Sequence, residues 1–259
     1  MANTTWNPSD KGASITLSNG NLTATNTGVS AVRAIDKQIT GKFYWEVTAT
    51  TFANNSSAIG ILSPTVSLVN PFTLVGSCGL QRVGVITVDG ATVVSGFGTV
   101  ANGTVVCVAF DASARLFWLR LGAAGLWNNS AAANPATGAG GVDSRLAQGV
   151  PAYPGWSGGV SGDACTANFG DSAFTGAVPV GFTSGFTSGV ASPTNAIATQ
   201  SALEQFLTTN PPAQITQVAI EHWVTTATVS GQAMVTQVAL EQWARVVPDG
   251  AQARVMVMA

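Results

Sequence analysis

Nucleophilic catalysis needs a base beside the nucleophile, and this chain offers a single histidine, His222. It occupies a position that is Gln205 and Gln242 in two other copies of one short pattern, so it reads as structural. Glycoside hydrolysis needs two carboxylates across the scissile bond. Of the chain's Glu residues, Glu204, Glu221 and Glu241 are equivalent positions of that same pattern, which favours a structural role for them. Asp111, Asp143, Asp163 and Asp171 fall in or beside turns, where Asp accepts local backbone N–H groups. No run carries acidic residues at alternate positions, as a calcium loop requires. The glycine-rich stretch Ser157–Gly162 does not open a helix after a strand and so carries no phosphate signal. Cys78, Cys107 and Cys165 are odd in number and widely spaced, unlike a disulfide framework. Cys107 lies in the apolar run Val105–Phe110 and reads as a small core hydrophobe. These residues point away from an enzyme and away from any metal or cofactor.

Recognition by aromatic side chains is the chemistry left. Trp127, Tyr153 and Trp156 fall in or beside residues 128–163, a long stretch rich in Gly, Ala, Asn and Ser. A stretch of that length is either functional or ordered by a neighbour. The three aromatics are candidate ligand-binding residues, as stacking platforms for a sugar ring or as packing anchors. Burial against the rest of the domain is the competing use of each.

Composition sets the frame around them. The 259 residues include 10 Lys plus Arg against 12 Asp plus Glu, a net charge of −2, and 46% are apolar. Mean hydropathy is +0.31. A disordered chain would be charged and poor in apolar residues. A protein that neutralises nucleic-acid phosphates would be basic. No apolar run approaches the roughly 18 residues of a membrane span. Nucleic acid and membrane insertion are therefore not expected. The N-terminus, Met1–Pro8, lacks the basic and apolar regions of a secretory signal. A surface this poor in charge suits a protein that is always assembled, because charge keeps free monomers apart.

The elements that must position these residues are strands. Ile15–Leu17 and Leu22–Thr25 flank Ser18-Asn19-Gly20-Asn21, an Asn-Gly hairpin turn. Lys42–Thr48 is aromatic and β-branched; Phe43, Trp45 and Val47 share its inward face. Ala58–Leu62, Val83–Val88 with Thr92–Val94 around Asp89-Gly90, Thr104–Phe110, Arg115–Leu121 and Cys165–Phe169 follow. Short strands with turn signals at this frequency imply an all-β antiparallel sandwich or barrel.

Several of these segments resemble one known family. Trp6–Lys11 followed by Ile15–Leu22 looks like the opening of a SPRY (B30.2-like) domain. Gly41-Lys42-Phe43-Tyr44-Trp45-Glu46-Val47 is similar to its G-K-x-Y-W-E-V strand, and Ile59-Gly60-Ile61 to the strand that follows. Gly103–Asp111, the hairpin Leu116–Arg120 with Gly125–Asn128, and Thr166–Gly170 resemble its later signatures, in order. One departure is the connection Leu121-Gly122-Ala123-Ala124-Gly125, which stands where that family has an Asn-Gly turn. The resemblance implies a SPRY-like β-sandwich, a non-catalytic binding module with ligands met by loops at one edge. The Asn/Thr/Gly-rich version here is similar to SPRY-like domains in virion proteins of tailed bacteriophages. It implies a virion location, as a head or tail fibre or a decoration protein. A carbohydrate-binding module acting in host recognition is the alternative, with a host-surface glycan as ligand.

The chain divides into 1–186, the sandwich; 187–197, a linker; and 198–259, a repeat region. The pattern T-Q-x-A-[LI]-E-x-[FW] begins at Thr199, Thr216 and Thr236, giving Glu204 with Phe206, Glu221 with Trp223, and Glu241 with Trp243. Read as a helix, Ile215, Val218, Ala219 and Trp223 form a stripe; read as a strand, Ala219, Glu221 and Trp223 share a face. Pro211-Pro212 and Thr225–Thr228 fit strands better. Three such strands are too small a sheet to stand alone, so the repeats are expected to mediate oligomerisation or docking onto other virion proteins. The expected assembly is a homotrimer. Burying each large aromatic stabilises by roughly 1.5–3 kcal/mol. Light scattering at micromolar concentration should show an oligomer for the full chain and a folded monomer after truncation at Phe186; a monomeric full chain would contradict this reading.

Overall fold

The computed structural model describes residues 3–187 and, beyond them, the strands 219–220, 242–249 and 252–257. Contacts divide the chain into two compact units, Met1–Ala191 and Ser192–Ala259.

The first unit is built from fifteen strands: β1 (Trp6–Lys11), β2 (Ile15–Ser18), β3 (Thr23–Asn26), β4 (Ser30–Ala34), β5 (Lys42–Thr51), β6 (Ala58–Leu62), β7 (Ser77–Gln81), β8 (Val85–Val88), β9 (Ala91–Val94), β10 (Thr104–Asp111), β11 (Leu116–Leu121), β12 (Val142–Asp143), β13 (Tyr153–Gly158), β14 (Ala164–Asn168) and β15 (Thr183–Ser184). Helical structure among the described residues is confined to three single 3-10 turns, Pro71–Thr73, Trp127–Asn129 and Pro135–Thr137. The strands form two sheets. One runs β1-β4-β13-β6-β7-β8-β9; the other runs β12-β11-β10-β5-β14-β3-β2, with β15 added in parallel to the start of β5. Every other pairing is antiparallel, so the expected all-β sandwich is what the chain forms.

Local chemistry explains the connections. The β2–β3 turn holds Asn19 at φ 52° and Gly20 at φ 62°. Asn21 follows at φ 65°, and the Leu22 N–H donates to Asn19 O at 3.1 Å, so Gly20 and Asn21 are the central pair of the turn. Two positive φ values there match the right-handed twist of the flanking strands, and Gly and Asn adopt them at low cost. The central strand of the second sheet is β5, whose aromatic and β-branched residues favour extended backbone. Its alternation splits the side chains cleanly. Phe43, Trp45, Val47 and Ala49 enter the main core between the sheets, while Tyr44 joins a second apolar cluster on the outer face. Trp45 is fully buried, as the alternation predicted. The ring of Phe186 meets it edge-on with centroids 5.3 Å apart and lies tilted against Phe43 at 5.1 Å.

Phe186 also closes the domain. Its N–H donates to Phe169 O at 2.9 Å, and its carbonyl accepts the Thr4 N–H at 2.9 Å. The two ends of the sandwich chain therefore meet in one ladder.

Two expectations need correction. Residues 128–163 are not an irregular excursion throughout: Tyr153–Gly158 is β13, paired on both sides by β4 and β6. Pro154 and Gly155 disguise it as a turn. Pro154 stands opposite Ile61 of β6 but lies outside the β4 ladder, which begins at Gly155↔Arg33, so it sits at the one-sided start of the strand, where Pro is tolerated. The expected hairpin after β11 does not form either. The chain turns at Leu121–Gly125 and returns as a 3-10 turn with Asn128 and Asn129 at φ 47° and 54°, left-handed values that no strand can carry. β11 pairs instead with β12.

In the second unit the strands β16 (Ala219–Ile220), β17 (Gln242–Asp249) and β18 (Gln252–Val257) form an antiparallel sheet, with Ala219 opposite Trp243. Of the repeat pattern only Ala219, Ile220, Gln242 and Trp243 fall on these strands; the rest of it lies outside the described residues. Glu204, Phe206, Glu221, Trp223 and Glu241 lie outside the described residues.

Trp45→Ala removes the largest side chain of β5 from a closed core. Large-to-small changes of this kind cost about 3–5 kcal/mol. The chemical-denaturation midpoint should fall accordingly; an unchanged midpoint would refute the packing described.

Candidate binding surface

The three aromatics singled out from the sequence end up in three different environments. Trp156 is completely buried in the main core beside Phe52, with ring centroids 6.5 Å apart. It is a core residue of β13 and is not available to a ligand, because its position in the strand alternates inward. Tyr153 is half-buried at the start of the same strand, flanked by the Arg33 guanidinium at 6.0 Å and the Lys37 ammonium at 5.8 Å. Trp127 is half-buried on the outer face of the other sheet. Tyr153 and Trp127 thus belong to different sheets.

The Trp127 surface is the better built. Register places Glu46 of β5 opposite Cys107 of β10, and Cys107 opposite Arg120 of β11. Opposed residues of an antiparallel pair share a face, so Glu46, Cys107 and Arg120 form a row across the outer face. The neighbouring row is Tyr44, Ala109 and Trp118. Arg120 points its guanidinium at the Trp127 ring, 4.4 Å from the centroid, a cation–π contact. Tyr44 meets Trp127 edge-on at 6.5 Å and Phe174 at 4.9 Å. Leu126, beside Trp127, is exposed.

Asn128 fixes the position of Trp127. Its Oδ1 accepts the Leu119 N–H at 2.9 Å, and its Nδ2 donates to Phe117 O at 3.1 Å and Gly140 O at 2.8 Å. One side chain thereby takes the backbone groups that a returning hairpin strand would have taken. A buried amide with this many partners holds one geometry.

Below the platform lies Glu46, buried at 3% exposure. Its carboxylate accepts the Tyr44 hydroxyl at 2.6 Å, the Thr175 N–H at 2.9 Å and the Gly176 N–H at 2.7 Å. The Cys107 thiol lies 3.6 Å from the same carboxylate. A Cβ at 176 would stand 2.6 Å from Arg120 Nη2 and 2.7 Å from the Tyr44 hydroxyl, so any larger residue would push these side-chain ends aside. Arg120 Nη2 donates to Ala177 O at 3.1 Å, so the segment crossing this face is tied to both ends of the row. Burial, and then hydrogen bonding to Cys107 and Glu46, raises the Tyr44 phenol far above its ordinary range. Burial raises the Cys107 thiol, with the Tyr44 hydrogen bond pulling in the other direction. Burial also raises Cys78 and Cys165, and all three cysteines are free thiols.

Neither Glu46, Arg120 nor Asn128 stood out in the sequence. Glu46 had a signal: alternation in the Phe43–Val47 strand puts it on the face opposite Trp45, beside Tyr44.

The turn carboxylates accept local N–H groups, as their positions suggested, but Asp163, Asp111 and Asp171 also reach distant segments, at Ala53 and Ser57, at Lys42 and at Asn3. Asp163 accepts Ala53 N–H, Ser57 Oγ–H, Gly159 N–H and Val160 N–H at 2.6–3.0 Å. Asp111 accepts the Ala114 N–H and Asp143 the Arg145 N–H, both at 2.8 Å. Among the described residues no three His, Cys, Asp or Glu side chains are grouped as metal ligands would be. No described helix is long and apolar enough to cross a membrane.

The residues that resemble SPRY signatures fall on strands in the expected order: Gly41–Val47 opens β5, Ile59–Ile61 is in β6, Gly103–Asp111 spans β10 and Thr166–Gly170 ends β14. No protein-family model matches the chain, and no curated protein matches its sequence. Solved structures with similarity include the TRIM65 PSpry domain (TM-score 0.49, 14% identity, 64% of this chain and 92% of that one). The SPRY domain of human HERC1 is similar at TM-score 0.48 and 14% identity, over 62% of this chain and 96% of that one. Stonustoxin is similar at TM-score 0.46 and 14% identity, over 64% of this chain and 27% of that one.

The Tyr44 phenol gives a pH test. An unfolded tyrosine ionises near pH 10. The folded value is higher, so the Tyr44 contribution to stability is complete below the unfolded value and is lost as pH rises past it. Wild-type stability should therefore fall more steeply above about pH 10 than that of Tyr44→Phe, measured by urea unfolding. Parallel pH profiles for the two proteins would contradict the buried, neutral phenol.

Proposed function

We propose that the sandwich is a SPRY-like binding module, and that the chain is a non-enzymatic structural or attachment protein of a tailed-phage virion, as a head or tail fibre or a decoration protein. The observation that carries the binding role is the Trp127–Arg120 stack: a half-exposed indole and a guanidinium held rigidly by Asn128 on a sheet face. Trp, Tyr and Arg dominate the energetics of recognition surfaces, because they offer large contact area and hydrogen bonding from few rotors. Support for the virion comes from the low charge and from the Thr-Gln-Glu-aromatic repeats. In this reading residues 198–259 hold a homotrimer together or dock it on other virion proteins.

Host-surface glycan is the second reading, favoured by the half-exposed Trp127 face, which suits a sugar ring. Glycan binding by the purified chain away from any particle would select it.

The test pairs Trp127→Ala with Arg120→Ala and compares particle incorporation and host adsorption with wild type. Hot-spot truncations cost about 2 kcal/mol or more, roughly 30-fold in affinity. Loss of either property in a folded double variant is the expected result. Wild-type incorporation and adsorption together would remove the binding role from this surface. Tyr153→Ala, on the other sheet, is the comparison and should leave both properties intact.

A further inference from the structure

Beyond the Trp127 surface, the turn between β10 and β11 carries a buried positive charge with no counter-charge. Arg115 ends this turn at φ 63°, in the left-handed region. It stands opposite Ser144, whose N–H donates to Arg115 O at 2.9 Å, one rung beyond the Leu116↔Asp143 pair. Arg115 is 4% exposed and Ser144 is completely buried. The guanidinium Nη1 donates to Val150 O at 3.1 Å. Nε and Nη2 are buried with no hydrogen-bond partner, and so is the Ser144 hydroxyl.

The two unpartnered nitrogens are not a random pair. Nε–H and one Nη2–H lie along a single edge of the guanidinium, the edge that grips a carboxylate through two parallel bonds. The adjacent carboxylates are already engaged: Asp111 by the Lys42 ammonium at 3.3 Å and Asp143 by the Arg145 N–H at 2.8 Å. Among the described residues Arg115 forms no ion pair. Burial of a charge without pairing is strongly disfavoured. The Ser144 hydroxyl, which can donate or accept, forms no bond to the guanidinium, so both groups are open to a third one, and a negatively charged acceptor satisfies the cation best.

We propose that Arg115 and Ser144 form an enclosed site for a small free carboxylate, gripped side-on by Nε and Nη2 and capped by the Ser144 hydroxyl. The buried nitrogens select a small ion over a side chain of another macromolecule. Bound there, the anion would tie the β10–β11 turn to the segment running from Ser144 to Val150.

Acetate is the probe, titrated into the full chain at constant ionic strength held by a bulky sulfonate buffer. The wild-type melting temperature should rise with acetate and saturate, as binding to the folded state alone requires, and calorimetry should give one site per chain. Arg115→Met should lose the response and, without acetate, should melt no lower than wild type, since it removes an unpaired buried charge. Ser144→Ala should weaken acetate binding about tenfold, the loss of one hydrogen bond of about 1.4 kcal/mol. Should Arg115→Met fail to fold, Arg115→Lys keeps the charge without the fork and should weaken binding at least as much as Ser144→Ala. A wild-type chain whose melting temperature ignores acetate, or a variant at Arg115 that responds like wild type, overturns the proposal.

Discussion

A carboxylate taken out of water must find donors for both oxygens, and the outer face of the β5 sheet is arranged around that demand. Glu46 meets it with one hydroxyl on its own strand and two backbone N–H groups from Thr175 and Gly176. Charge-assisted bonds of this kind are among the strongest non-covalent contacts in a fold. They pull the chain between β14 and β15 down onto the sheet and so create a second, outer apolar cluster around Tyr44 and Trp118. Trp127 and Arg120 rest on that cluster. The candidate binding surface is therefore a consequence of one buried acid, and its rigidity follows from the same cause.

Much of the sandwich could be read from the sequence because its strands obey period two and its turns use residues with a mechanism. β5, β6 and β10 were visible through aromatic and β-branched runs, and the β2–β3 and β8–β9 turns through Asn-Gly and Asp-Gly. Strand β13 was hidden by its own composition: Tyr-Pro-Gly-Trp-Ser-Gly reads locally as a turn, and only tertiary pairing on both sides makes it a strand. Trp156 was misplaced for the same reason. The binding surface was legible only at Trp127. Asn128 looks like an ordinary loop residue until its side chain is seen bonded back to β11 across nine and eleven residues, a closure that no period-two pattern encodes.

The two buried charges on β5 and beside β11 illustrate opposite solutions. Glu46 is an acceptor surrounded by donors and is complete within the chain. Arg115 is a donor whose free edge has no acceptor within the described residues. Desolvation penalises both ions equally in kind. What differs is the supply of partners, since backbone N–H groups can be aimed at Glu46 by a tight turn, whereas Arg115 is given a single carbonyl.

The scarcity of charge in this chain then takes on a structural meaning. Arg33, Glu46, Asp111, Arg115 and Asp163 are all buried, so five of the few ionisable groups serve as internal pins. Arg33 bonds to Asp10, Ser63 O and Val66 O, and Asp163 gathers four donors from two loops. Each pin replaces apolar packing that a loop of Gly, Ser and Asn cannot supply. The charges used inside are charges withheld from the surface. A surface so depleted does little to repel a second copy of itself or a neighbouring protein.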